Sequence, residues 1–227
     1  MRSLLTNARF RRIGDIDVRA PLLALVLTAA CGVVVHGDES VVAIRAGGGF
    51  QAKLDYCKTC HGLSEQGYRG YFPMPRLAGQ QPQYIENQLR AFVERRRTNP
   101  IMANVAHALN PSMIAALASY FHRLDSRPIG GAPRGALALG KRIYEEGLPE
   151  SNVAACWACH GADAKGQNEI PRLAGQLYEY TVGQLTGWAK QRGQGTAVDT
   201  SAIMAPTAHN LTRSQIEAVA AYVSTLQ

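Results

Sequence analysis

Cys57-Lys58-Thr59-Cys60-His61 and Cys156-Trp157-Ala158-Cys159-His160 are two copies of one pattern, C-x-x-C-H, beginning 99 positions apart. On a helical turn, residues i, i+3 and i+4 project from one face. Two thiols so placed can each form a thioether with a haem vinyl group, and the following histidine brings its imidazole to the iron. This is the pattern of covalent c-type haem attachment. The competing reading is a zinc ribbon, whose C-x-x-C pairs lie about 15–20 residues apart. The wide separation and the histidine closing both copies favour haem, with Cys57, Cys60, Cys156 and Cys159 as attachment points and His61 and His160 as iron ligands.

Working outward, each motif is followed by the same six residues. Pro75-Arg76-Leu77-Ala78-Gly79-Gln80 begins 14 positions after His61, and Pro171-Arg172-Leu173-Ala174-Gly175-Gln176 begins 11 after His160. The repeat then runs on without a gap: Tyr84 matches Tyr180, Gln88 matches Gln184 and Leu89 matches Leu185. Ile85, Leu89 and Phe92 are spaced i, i+4, i+7, as are Thr181, Leu185 and Trp188, which predicts two helices with one inward face. Ile101-Met102-Ala103 pairs with Ile203-Met204-Ala205, and His107 with His209. The last helix repeats as well, with Ile114, Leu117, Ala118 and Phe121 against Ile216, Val219, Ala220 and Val223. Asn110 before Pro111, and Thr212 with Gln215, mark the starts of these two helices.

Upstream, Gly135 to Gly147 predicts a helix with Leu139 and Ile143 inward. In the first half only Phe50 to Cys57 reads as amphipathic, and Glu39 to Gly49 reads as a loose lead-in. Between the halves, Leu124 to Arg134 holds Pro128, Gly130, Gly131 and Pro133 without periodicity, which is a linker. The expected organisation is all-α: residues 38–124 as one haem domain, 125–134 as linker, and 135–227 as a second. With no packing stripe in the linker, each half is expected to fold alone.

The chain has 227 residues, 46% of them hydrophobic but only 7% aromatic, so a buried porphyrin would help to fill each small core. Four of the five cysteines belong to the motifs, which leaves no disulfide framework. Residues 1–37 read as an export signal: a leader rich in arginine, then a 15-residue apolar run from Pro21 to Val35. That run falls short of the ~20 residues that span a bilayer. An uncleaved anchor and lipidation at Cys31 stay open beside cleavage. Haem is attached outside the membrane in bacteria, so the expected compartment is the periplasm, with attachment to the outer face of the inner membrane a further option. The formal charge of +7 includes five Arg and two Asp in the leader, which leaves +4 from residue 38 onward. About four haem propionates would nearly cancel that remainder, and no broad basic stripe supports nucleic-acid binding.

For the sixth iron position, a thioether sulfur is a usual partner of cytochrome c iron. Met102 lies 41 residues beyond its histidine and Met204 lies 44 beyond. They pair in the repeat between loop and final helix, whereas Met113 faces Gln215 and Met74 faces Ile170. Met102 and Met204 are therefore the expected ligands and Met113 is packing. His107 and His209 also repeat, but with both irons supplied they read as solvated or capping residues. His122 reads as surface. Arg95-Arg96-Arg97 suits a helix C-terminus, with a docking patch for an acidic partner as the alternative.

The paired C-x-x-C-H motifs, paired Pro-Arg-Leu-Ala-Gly-Gln blocks and paired methionines resemble the dihaem cytochromes c4 over about residues 50–227. The resemblance implies two tandem class I cytochrome c domains related by a pseudo-twofold axis. It also implies electron delivery toward a terminal oxidase in a respiratory chain, from a quinol-oxidising complex or a small redox protein. Pro75 and Pro171 would then offer carbonyls to the imidazoles, and Arg76 and Arg172 would pair with propionates, with Tyr84 and Tyr180 contributing. A surface role for the two arginines is the bland alternative. No catalysis is expected, because both irons are closed by methionine. A thiosulfate-oxidising or peroxide-reducing dihaem enzyme, or a cytochrome subunit of a respiratory complex, are the competing functions.

Overall fold

The computed structural model describes the backbone of residues 36–193 and 201–227, with side chains from residue 49 onward. The leader read over residues 1–37, with Cys31, lies outside the described residues apart from His36 and Gly37. Among the described residues the chain is helical, and isolated β-bridges such as Tyr68 with Met74 and Gln167 with Ile170 stand in place of strands.

In the first half the helices are α1 (His36–His61), α2 (Pro82–Val93), α3 (Pro100–His107) and α4 (Pro111–His122). The second half holds α5 (Leu137–Glu146), a 3-10 turn (Pro149–Ser151), α6 (Trp157–His160) and α7 (Tyr178–Thr186). It continues with α8 (Trp188–Gln191), α9 (Ser201–Asn210) and α10 (Arg213–Thr225). Phe50–Gln227 forms one compact unit with two hydrophobic cores. Leu54, Ile85, Leu89, Phe92, Ile114, Leu117 and Phe121 build the first. Ile143, Tyr144, Val153, Val182, Ile216, Val219 and Val223 build the second. Side chains of this size each contribute about 1.5–3 kcal/mol on full burial.

The caps at Asn110 and Thr212 form as their sequences predict. Asn110 accepts from the Met113 N–H, and Thr212 with Gln215 closes a capping box.

Two local expectations are corrected. Glu39 to Gly49 is not a loose lead-in but lies within α1. Once a helix is nucleated, each added residue gains a hydrogen bond, so a good downstream helix extends back through the glycines. The Thr181–Leu185–Trp188 stripe does not run on one helix. α7 stops at Thr186, α8 begins after Gly187, and Val182 rather than Leu185 is buried. Met102 and Met204 lie on α3 and α9, each ahead of the last helix of its half as the repeat predicts. Asn99 caps α3 by accepting from the Met102 N–H, with Pro100 at the first helical position.

The halves are joined by reciprocal bonds. Gln80 Oε1 accepts from the Arg172 N–H at 2.7 Å, and its Nε2 donates to the Arg172 carbonyl at 3.1 Å. Gln176 makes the same pair with Arg76, at 2.8 and 3.1 Å. Gln176 lies 96 residues after Gln80, and Arg172 lies 96 after Arg76. A shift of 96 thus exchanges the two contacts, the signature of a twofold, self-complementary interface. A second layer repeats the arrangement. Arg97 donates to Gln88, Tyr180 and Gln184, while Arg192 donates to Gln88, Gln184 and Tyr84. Burial alone would push the Tyr84 phenol up, but the charges of Arg192 and Arg97 outweigh it and hold the phenol below its ordinary value. Arg69 adds an ion pair to Glu179 and bonds to the Gly130 and Gly131 carbonyls of the linker.

The arginine run is thereby corrected. Arg96 is buried against Glu94, Arg97 is spent on the interface, and only Arg95 of the three is exposed.

Candidate functional site

Each C-x-x-C-H closes a helix. His61 is the last residue of α1 and His160 the last of α6, and the turn brings the His160 N–H to the Cys156 carbonyl at 2.9 Å. After each histidine the chain doubles back, with the Gly67 N–H on the His61 carbonyl and the Gly166 N–H on the His160 carbonyl, both at 2.8 Å. These glycines are required by close approach. A Cβ on Gly67 would press on the Met74 carbonyl and the Arg76 nitrogen, and one on Gly166 would collide with Ile170 and Pro171.

The next contact fixes the six-residue blocks. Glu65 sits in the left-handed region at φ +56° and its carbonyl accepts from the N–H groups of Leu77 and Ala78. Ala164, also at φ +56°, holds Leu173 and Ala174 in the same way. Each block is then tied to its own last helix through Gly79 to the Phe121 carbonyl and Gly175 to the Val223 carbonyl. This places the Pro75 carbonyl 2.8 Å from His61 Nδ1 and the Pro171 carbonyl 2.9 Å from His160 Nδ1. A carbonyl can only accept, so Nδ1 carries the proton in both rings and Nε2 is left as the metal-binding nitrogen. Burial lowers the pKa of both histidines, with the carbonyl bond opposing it, so both rings are held neutral as iron requires.

The cysteines suit thioethers. Cys57 and Cys156 are half-buried, and burial pushes both thiols up to about 11, an environment that prefers uncharged sulfur. Zinc would need thiolates, and the described residues hold no cluster of three or more His, Cys, Asp or Glu side chains.

Arg76 and Arg172 are buried rather than on the surface, at 3% and 8% exposure. Their Nε groups donate to the Ala78 and Ala174 carbonyls, two residues along each block. Burial, then the like charge of Arg172, pushes Arg76 down to about 10, and its Nη1 is buried with no partner among the described residues. Two guanidiniums so close in a low-dielectric interior call for anions. Haem propionates fit that need, so the residues present suit the group that the motifs imply.

Met102 is half-buried against the first core, and Met204 is half-buried in α9. Met113 also packs against the first core, as expected of filler, and Met74 pairs its backbone with Tyr68. His107 turns its Nδ1 to the Ala103 carbonyl one turn back in α3, and His209 is exposed. His122 is exposed but holds the Gln80 carbonyl at 3.1 Å.

Sequence reasoning missed the interface role of Gln80, Gln176, Arg97 and Arg192. A signal was present: Gln80, Tyr84 and Gln88 repeat as Gln176, Tyr180 and Gln184, and a polar residue retained through a duplication needs a partner.

Comparison with known proteins agrees with this geometry. The cytochrome c family model matches residues 137–227. Cytochrome c-552 of Acidithiobacillus ferridurans is 38% identical over 208 residues, covering 89% of this chain and 86% of the relative. A thiosulfate dehydrogenase electron acceptor of Thiomonas intermedia is 34% identical over 173 residues, covering 74% and 77%. The solved structure of Acidithiobacillus ferrooxidans cytochrome c4 is 38% identical with a TM-score of 0.64, covering 75% of this chain and 98% of that one. The fold is two tandem class I cytochrome c domains, and two haem c groups are bound covalently, at Cys57/Cys60 and Cys156/Cys159. With the same motif, block and imidazole bond in both halves, the chain belongs to the dihaem cytochrome c4 family of electron carriers.

Proposed function

We propose that the protein is a periplasmic carrier that delivers electrons toward a terminal oxidase of a respiratory chain and performs no substrate chemistry. The observation that carries the reading is the equivalence of the two sites. Each half offers an imidazole oriented by a proline carbonyl and, at a matched position, a methionine. His61 with Met102, and His160 with Met204, would hold the two irons, and an iron already held by two side chains favours electron transfer over activation of a bound molecule. When bound, each haem supplies a one-electron couple. The chain's residues do the rest. Pro75 and Pro171 hold the imidazole protons, Arg76 and Arg172 would pair with the propionates, and the two cores would shield the bound groups from water. The interface bonds hold the two histidine-bearing blocks against each other, which would suit passage of an electron between the two groups.

The donor would be a quinol-oxidising complex or a small redox protein. The likeness to a thiosulfate dehydrogenase electron acceptor favours a second source, a thiosulfate-oxidising enzyme that hands its electrons to this carrier. Export across the inner membrane, with the leader either cleaved or kept as an anchor, accompanies the proposal.

The test is rapid mixing of the reduced protein with carbon monoxide, thiosulfate, peroxide and an oxidised protein acceptor in turn. Fast reoxidation by the acceptor with little carbon monoxide binding at neutral pH is the expected result. Strong carbon monoxide binding at one site, or steady turnover of thiosulfate or peroxide, would establish an enzyme instead.

A further inference from the structure

The two sites differ at one buried position. Glu65 and Ala164 share φ +56°, and each carbonyl accepts two N–H bonds from the block that holds the iron-binding histidine. Both residues are fully buried. In the second half this corner is filled by a methyl group. In the first it is filled by a carboxyl group whose Oε1 and Oε2 are both buried and find no hydrogen-bond partner among the described residues. The backbone is alike at both corners, so the difference lies in the side chain: a buried carboxylate without donors is costly. Broken local rules of this kind concentrate at functional positions.

We propose that Glu65 is a redox-linked proton-binding site that serves the N-terminal haem and has no counterpart at the C-terminal one. Its charge is felt at Cys57, a haem attachment point, so the carboxyl lies within electrostatic reach of the group bound there. The charged groups around it are few. Lys58 of α1 draws its pKa down but is outweighed by burial, and Lys58 is itself paired with Asp55. Arg76, on the adjoining block, directs its Nε to the Ala78 carbonyl, and Asp125 of the linker acts on Arg76. Cys57 does not titrate once it is a thioether. The haem propionates are the remaining acids, and the variants below separate them from Glu65.

The chemistry balances as one electron and one proton. When the N-terminal site accepts an electron from a donor protein, a positive charge is lost near the carboxylate, which then takes one proton from water. When the electron leaves, the proton returns to water. By linkage, protonation favours the reduced state by the same factor that reduction favours protonation. The proposal rests on the electron-carrying reading and sharpens it, since pH then sets the order or spacing of two otherwise similar potentials.

The experiment is a potentiometric titration of the holoprotein from pH 5 to 9, with Glu65→Gln and Glu65→Ala alongside wild type. Infrared difference spectra between the oxidised and reduced states accompany it. In wild type one midpoint should fall with pH through a limited window by up to tenfold in equilibrium constant per pH unit, which is about 59 mV for a one-electron couple. The other should stay flat. A carboxylic acid C=O band should appear on reduction. Both variants should flatten the sloping midpoint and abolish the band, and Glu65→Ala reproduces the arrangement that already folds around Ala164. Two flat midpoints in wild type, or a slope and band unchanged in the variants, would overturn the proposal and leave the propionates as the titrating acids. Should one variant fail to mature, the other carries the test, because the band is assigned to Glu65 only by its loss on substitution. Failure of the underlying reading would look different: wild type would lack two reversible one-electron waves at any pH.

Discussion

At the scale of single residues, the histidine and cysteine positions are legible because their spacing is itself the chemistry. C-x-x-C-H fits one turn, and His61 and His160 sit at helix ends where the sequence puts them. The proposal for the methionines rests on the repeat alone, which singles out Met102 and Met204 among five. Replacing either by alanine should remove about half of the weak long-wavelength sulfur-to-iron absorption of the oxidised protein, and Met74→Leu should leave it intact. Ferric absorption spectra of the three variants check this. Glu65 was not legible, because nothing in a sequence distinguishes a buried glutamate from a solvated one. Burial raises its pKa from 4.5 to about 7. The folded chain therefore holds a proton that the unfolded chain releases between those values. Its contribution is fully present below pH 4.5 and is lost as pH rises through 7, a loss on the order of 3 kcal/mol. Denaturant titrations across pH 4.5–8 should show that decline in wild type and a flatter profile in Glu65→Gln.

At the scale of elements, periodicity found α2, α4, α5 and α10 but misplaced two boundaries. α7 ends early because Gly187 interrupts the stripe, and a hydrophobic count across Trp188 cannot see that break. α3 carried the same start signal as α4, an asparagine before proline. Asn99 anchors the helix that bears Met102, so Asn99→Ala should cost about 1 kcal/mol. It should also weaken the sulfur-to-iron band of the first site, which a paired stability and absorption measurement would register. Gly140 illustrates what a pattern of polar and apolar residues leaves out. It is buried within α5, and a Cβ there would strike the Ala218 carbonyl and the Tyr222 Cβ of α10. Helix propensity alone would make Gly140→Ala stabilising by about 1 kcal/mol. The collision should reverse the sign and cost about 1–3 kcal/mol, seen as a lower melting temperature of the second half.

For the whole molecule, the duplication was legible and the junction was not. A Pro- and Gly-containing linker predicts halves that fold alone, yet the bonds joining them connect residues 92 and 100 positions apart and have no period to detect. Gln80→Ala would leave the buried N–H and carbonyl of Arg172 without their partners, at a cost of about 1–3 kcal/mol for each unmet group. Gln176→Ala should cost the same at Arg76. The double variant should loosen the junction, read as faster amide exchange in both Pro-Arg-Leu-Ala-Gly-Gln blocks while the two cores stay protected.

The exchange of contacts under a shift of 96 residues also bears on ancestry. A surface that complements its own duplicate would have complemented an identical copy before the two were fused. The single-haem ancestor is then best pictured as a symmetric homodimer, with the linker a later tether that made an encounter between two molecules permanent. Residues 135–227 expressed alone should still carry that inheritance, sedimenting as a dimer that Gln176→Ala returns to monomer. Freed from symmetry, one copy could drift while the other kept the original corner, and Glu65 opposite Ala164 is what such divergence leaves behind.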